Sequence, residues 1–236
     1  MTAPPSSSRL PIIEAALPWG GERLDAAPAM PRRPAFFIDK DGTLVEDVPF
    51  NADPAQLRFL PGAGEALARL QRAGLALVIV TNQSGLARGY FTRAEFARLQ
   101  QALLQRLRQE FGVVVDGMEV CPHAPGAEGR PACLCRKPAP GMLVRAAHRH
   151  GLDLARSWMV GDTLDDVEAG HRAGAGGLLF DSGGETVWRR SPLRQPDAVF
   201  TDWAALAHHI EAAAPPADAN AGPALHAHAP QPQAAP

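Results

Sequence analysis

The sequence predicts a three-layer α/β sandwich of Rossmann-like type, with a central parallel sheet between two layers of helices. Two observations predict it. Short apolar runs alternate along the chain with helical stretches, and such alternation builds parallel sheets covered on both faces. Three of the runs are also followed at once by a polar cluster: DKDGT, TNQS and GDTLDD. Ligands of parallel sheets bind beyond the carboxyl ends of strands, so the three clusters obey one geometric rule.

The elements follow in order. AFFID (35–39) is an apolar run stopped by Asp-Gly-Thr, the pattern of a buried strand. Pro61 to Ala73 is a helix, with Leu67 and Leu70 on one face and Gly74 as its stop. LALVIV (75–80) is the second strand. Thr92 and Glu95 spell a capping box, and Phe96, Leu99, Leu103 and Leu107 behind them keep helical spacing. Met118 to Val120 ends a third strand, and Met142 to His150 is helical. SWMV (157–160) is a fourth strand and Thr163 to Ala173 the next helix. GLLF (177–180), DAVF (197–200) and a helix from Trp203 to Ala213 complete the domain.

The predicted domain runs over residues 34–213. An N-terminal extension (1–33) rich in Pro, Ala, Ser and Arg precedes it, with Met30 as an alternative start. A Pro/Ala-rich tail (214–236) follows and is expected to be disordered. His226 and His228 in that tail read as solvated residues rather than metal ligands. The 236-residue chain is 46% hydrophobic, with a formal net charge of -2. It carries no basic footprint for nucleic acid. It has no apolar run long enough for a membrane span and no basic-then-apolar start typical of a secretory signal. The expected protein is cytoplasmic and monomeric, with a small molecule as its partner.

Asp39 and Asp41 stand two apart at the end of the first strand, and period-2 geometry can aim both carboxylates one way. Asp162 and Asp166 open another post-strand segment, four apart at helical spacing. Clustered carboxylates repel unless a cation or protons intervene. A few hard oxygen ligands suit Mg²⁺. The alternative for Asp-Gly alone is a simple turn; the second acidic cluster argues against it. Thr81 and Asn82 offer a hydroxyl and backbone N–H groups to phosphate oxygens. Lys137, presented by the loop before Pro138, offers a cation.

Cys121-Pro-His123 is followed after nine residues by Cys133-Leu-Cys135, and these are all the cysteines of the chain. Two close pairs of such ligands match a closed tetrahedral Zn²⁺ site of structural type. Free thiols and a strained Cys133–Cys135 disulfide are the alternatives.

FFIDKDGTL, VTNQSGLARGYFT, CPH…CLCRKPAPGM and MVGDTLDD, in this order and spacing, resemble the haloacid dehalogenase superfamily. Within it they are most like the heptose 1,7-bisphosphate phosphatases and the related histidinol-phosphate phosphatases. The resemblance runs from about Phe36 to Gly174 and implies a fold without a separate cap domain. It implies Asp39 as nucleophile, forming an aspartyl-phosphate, and Asp41 as acid and then base. It assigns Mg²⁺ to Asp39, Asp41 (partly through its main-chain carbonyl) and Asp162, with Asp166 in support. Thr81 and Lys137 would hold the phosphoryl group, and Asn82, Gln83 and Ser84 would line its loop. Arg136, Asp47 and Phe50 would meet the substrate. Cys121, His123, Cys133 and Cys135 would hold Zn²⁺. The implied activity is removal of the 7-phosphate of a heptose bisphosphate in surface-glycan (lipopolysaccharide) assembly. Histidinol phosphate is the second substrate implied, and a silent zinc-binding scaffold is the alternative of another class.

Overall fold

The computed structural model describes residues 32–126, 133–184 and 188–213. The N-terminal extension up to residue 31, the tail with His226 and His228, and residues 127–132 inside the cysteine loop lie outside the described residues.

The strands are β1 (Arg33–Ile38), β2 (Ala76–Asn82), β3 (Gly117–Cys121), β4 (Leu152–Gly161), β5 (Gly176–Phe180) and β6 (Ala198–Phe200). All pairings are parallel, in the order β3-β2-β1-β4-β5-β6. The chain therefore builds outward from β1 to β3, then returns to the other side of β1 with β4. That reversal opens a crevice at the carboxyl ends of β1 and β4, because the flanking connections leave in opposite directions.

The helices are α1 (Ala63–Arg72), α2 (Gly85–Arg88), α3 (Arg93–Phe111), α4 (Gly141–His150), α5 (Leu164–Ala173) and α6 (Trp203–Ala213). Strand alternation feeds two cores. Phe36, Ile38, Leu77 and Ile79 pack with residues of α1, α3 and α6. Ala35, Phe37, Val78 and Val80 pack with residues of α4 and α5 on the other face. Each fully buried Phe contributes roughly 1.5–3 kcal/mol by the area it removes from water. Between β1 and β2 only a short 3-10 turn, Pro54–Gln56, and α1 intervene, so no cap domain interrupts the described residues there.

Several boundaries differ from the sequence reading. α1 begins at Ala63, two residues after Pro61, because Gly62 caps it in the left-handed region (φ 79°). β2 extends through Thr81 and Asn82, which the parallel register with β3 carries to Asn82↔Cys121. β4 starts at Leu152, not Ser157. Its early residues pair with Arg33 and Pro34, and the register then shifts before Phe36↔Trp158. Ser157 fills that irregularity by accepting the Ala35 N–H at 2.8 Å, a contact no periodicity foretells. α2 is too short to leave a pattern.

Trp203 ties the last helix to the first motif. It is fully buried, its ring packs 5.3 Å from Phe180 and 6.4 Å from Phe36, and its indole N–H donates to the Thr43 carbonyl at 3.3 Å.

Candidate active site

Asp39 is the first residue beyond β1, and its N–H donates to the Val160 carbonyl of β4 at 2.9 Å. The next residues fold into a tight turn in which Leu44 and Val45 N–H groups donate to the Lys40 carbonyl. A turn, not strand alternation, therefore places Asp41. Gly42 makes it possible, with φ 75°. A Cβ at Gly42 would also stand 2.1 Å from Asp162 Oδ2, so the loop reaches the second acidic cluster only without a side chain there.

Asp162 precedes α5, and Asp166 lies in its first turn. The two carboxylates are brought together by a cap, not by helical stacking. Asp166 Oδ2 accepts from Thr163 Oγ1 at 2.6 Å and from Thr163 N at 3.3 Å. Thr163-x-x-Asp166 is thus a second capping signature, and it turns the Asp166 carboxylate inward. Gly161 clears the path, since a Cβ there would meet Asp166 Cγ at 2.1 Å.

Carboxylate oxygens of Asp39, Asp162 and Asp166 lie within 4.8 Å of one another. Lys137 enters this cluster. It is only 4% exposed, so the loop before Pro138 buries it rather than presenting it to solvent. Its ammonium donates to Asp39 Oδ1 at 2.5 Å and to the Val80 carbonyl at 3.0 Å, and it lies 2.6 Å from Asp166 Oδ1. Asn82 fixes the Lys137 main chain through a reciprocal pair: Nδ2 donates to the Lys137 carbonyl at 3.2 Å and Oδ1 accepts the Lys137 N–H at 3.1 Å.

Burial lifts the Asp39 carboxyl well above its usual range; Lys137 opposes this, and Asp166, Asp162 and Asp41 add to it. Burial and then the Asp166 charge push Asp162 up to about 7. Burial alone would lower Lys137, but the Asp166 and Asp39 carboxylates outweigh it and hold the ammonium firmly charged. One cation against three converging carboxylates leaves negative charge to be met, and hard oxygen donors meet it best with a small divalent ion. The residues present therefore fit Mg²⁺.

The Asp41 carboxylate stands outside that trio. Lys40, buried to 2% exposure, pairs with its Oδ1, and Gln83 Nε2 donates to its Oδ2 at 2.8 Å. Thr81 is buried beside Gln83, whose Nε2 also reaches Thr81 Oγ1 at 3.0 Å. Ser84 leads into α2. Asp47 lines a cleft of about 370 Å³ together with Gly42, Asp162 and Thr163. Phe50 lies instead in a second cleft of about 530 Å³, where its ring meets Tyr90 edge-on at 4.6 Å. Arg136 donates to the His123 carbonyl at 3.3 Å, so its head lies along the cysteine loop. Sequence reasoning undervalued Asp166, Lys40 and the two glycines; the Thr163 cap was the available signal for the first.

Cys121, at the end of β3, meets His123, Cys133 and Cys135 in one cluster. Five of its edges run from 3.2 Å (His123 Nδ1 to Cys135 Sγ) to 3.6 Å (Cys121 to Cys133 Sγ), and all four ligand atoms lie within 4.8 Å of one another. The cysteines are unbonded, and Cys133 and Cys135 sulfurs lie 3.3 Å apart, which excludes the disulfide alternative. Ligand atoms about 2.3 Å from a common centre span edges only slightly longer than these, so the donor set fits a tetrahedral metal. Burial pushes the Cys121 thiol up to about 12. Burial works the same way on Cys133, but hydrogen bonds from Cys135 and the Arg136 N–H bring it down to about 7.

Known proteins resemble this chain in sequence and fold. Residues 134–206 match the family model described as HAD-hydrolase-like. The chain is 45% identical over 164 residues to the D-glycero-beta-D-manno-heptose-1,7-bisphosphate 7-phosphatase of Mesorhizobium japonicum, covering 68% of this chain and 75% of the relative. It is 40% identical over 157 residues to the enzyme of that name from Escherichia coli K12, covering 65% and 82%. Among solved structures, D,D-heptose 1,7-bisphosphate phosphatase from B. bronchiseptica, complexed with magnesium and phosphate, superposes with a TM-score of 0.63 at 34% identity, covering 75% of this chain and 97% of that one. A HAD-like phosphatase from Mesorhizobium loti gives 0.64 at 40% identity, covering 78% and 89%. The chain belongs to this family of haloacid dehalogenase-like phosphatases, hydrolases of phosphoric monoesters.

Proposed function

We propose that the chain removes the 7-phosphate of D-glycero-D-manno-heptose 1,7-bisphosphate, using Mg²⁺ in the aspartate site and Zn²⁺ in the cysteine loop. The observation that carries the phosphatase chemistry is the convergence of Asp39, Asp162, Asp166 and Lys137 at the carboxyl ends of the strands. The substrate rests on the activity named for relatives at 40–45% identity.

Asp39 attacks phosphorus; the bond to the sugar oxygen breaks as the aspartyl-phosphate forms. Asp41 donates a proton to that leaving oxygen, then takes one from the water that cleaves the aspartyl-phosphate. Thr81 holds the phosphoryl oxygens, Lys137 adds its positive charge beside them, and Asn82 keeps Lys137 in place. Asp39, the Asp41 carbonyl and Asp162 would hold Mg²⁺, which neutralises charge so that a carboxylate can approach an anion. Asp166 orients Lys137. Asp47 and Arg136 border the sugar side, with Phe50 and Ser84 further out. Cys121, His123, Cys133 and Cys135 would hold a structural zinc that shapes the loop carrying Arg136 and Lys137. The working unit is the domain 34–213, a cytoplasmic monomer flanked by tails. Among the described residues no helix is long and apolar enough to cross a membrane.

Turnover compared across heptose 1,7-bisphosphate, fructose 1,6-bisphosphate and histidinol phosphate, with Mg²⁺ and with EDTA, tests this. The heptose bisphosphate is expected to show the highest kcat/KM and to fall to background in EDTA. Preference for histidinol phosphate would overturn the substrate. Asp39→Asn is expected to stop phosphate release with the fold intact.

A further inference from the structure

The sequence resemblance groups Gln83 with the residues that touch the phosphate. The geometry points elsewhere, and we infer that Gln83 is a positioning residue for Asp41. Its side chain is 6% exposed. An amide nitrogen carries two hydrogens, and both are committed, one to Asp41 Oδ2 at 2.8 Å and one to Thr81 Oγ1 at 3.0 Å. No amide donor remains for a phosphate oxygen. The Gln83 main chain is fixed as well, since its N–H donates to the Cys121 carbonyl at 2.7 Å.

The opposite oxygen of Asp41 is held by the buried ammonium of Lys40. Two donors from separate segments, one beyond β2 and one in the turn after β1, therefore fix the plane of the carboxylate. Each carboxylate oxygen keeps a second lone pair for the proton in transit. The Asp41 side chain is 26% exposed, so without Gln83 only Lys40 would restrain its rotation toward water. A general acid works only within hydrogen-bond reach of the oxygen it protonates. The residue type matters: a carboxylate at position 83 would face Asp41 with like charge and offer it no hydrogen. The shared nitrogen also links acid and phosphate-holding hydroxyl, so their spacing is set by one group.

The inference rests on the reading of Asp41 as the acid, and the test separates the two. In the full-length protein, kcat/KM is measured for Gln83→Met and Asp41→Asn on an alkyl phosphate (glycerol phosphate) and on 4-nitrophenyl phosphate. The first leaving group needs a proton; the second departs as a phenolate. Because kcat/KM reports the steps up to departure of the leaving group, later hydrolysis of the aspartyl-phosphate does not obscure it. Gln83→Met is expected to lose about tenfold or more on the alkyl ester, part of the roughly 10²–10⁴-fold a general acid supplies. Its loss on the aryl ester should be severalfold smaller. Retained aryl-ester activity also shows that the variant folds. Equal losses on both esters, or none, would overturn the positioning role. If Asp41→Asn itself loses equally on both esters, the acid reading fails, and the inference with it. Gln83→Glu, which keeps the shape, is the second variant should Gln83→Met not fold; it should show the same split between esters.

Discussion

Replacing Lys137 with Met tests the electrostatic design of the site. Lys137 is the cation within hydrogen-bond distance of both Asp39 and Asp166, in a place only 4% exposed. Methionine fills similar space but leaves the carboxylates to face one another and Asp162. Breaking a buried ion pair by removing one partner costs about 3–5 kcal/mol, a large share of the roughly 5–15 kcal/mol that holds a domain together. The carboxyls can relieve the cost by taking up protons, and this sets the pH dependence. Asp39 and Asp162 already titrate above their ordinary range, Asp162 near 7 against a usual 3.8. Between those values the folded state binds more protons than the unfolded one, so stability falls as pH rises. Removing Lys137 pushes the folded values higher still and extends that fall to more alkaline pH. Urea unfolding in EDTA should show the loss in full at pH 8 and much reduced at pH 5. Mg²⁺ should restore stability more strongly in the variant than in the parent protein at pH 8, while phosphatase activity drops at least about 10²-fold. A variant as stable as its parent at pH 8, or one whose deficit ignores pH, would refute the reasoning.

Other substitutions probe separate links. Gly42→Ala forces a Cβ to 2.1 Å from Asp162 Oδ2 at a backbone φ of 75°; Mg²⁺ titration of activity should show at least about tenfold weaker activation, with a stability cost of about 1–3 kcal/mol. Cys133→Ala removes one corner of the cysteine–histidine cluster; zinc measured by atomic emission should fall below one equivalent, and thermal melting should shift downward. Trp203→Phe keeps the ring beside Phe180 but deletes the donor to the Thr43 carbonyl; unfolding should show about 1–3 kcal/mol lost, with kcat on the favoured substrate within about threefold of the parent.

Legibility in the sequence was uneven for physical reasons. Buried strands announce themselves, because residues such as Phe36, Phe37, Ile38 and Val78 to Val80 must be apolar whichever face they take. The early half of β4 was hidden, since LDLARS carries polar residues and its irregularity is closed by a serine hydroxyl. Lys137 read as a loop residue because burial of a lysine depends on partners far along the chain, here Asp39 and Asp166.

The sequence by itself determined the alternation of strands and helices, the acidic and cysteine clusters at strand ends, and the family, because periodicity and motif spacing are local properties of the chain. Tertiary structure alone decided which carboxylates converge and which is set aside. Asp166 joins Asp39 and Asp162 through a cap, while Asp41 is held apart by Lys40 and Gln83. The reason is that side-chain direction is fixed by turns, caps and contacts between β1, β2 and β4, which meet only when the parallel sheet closes.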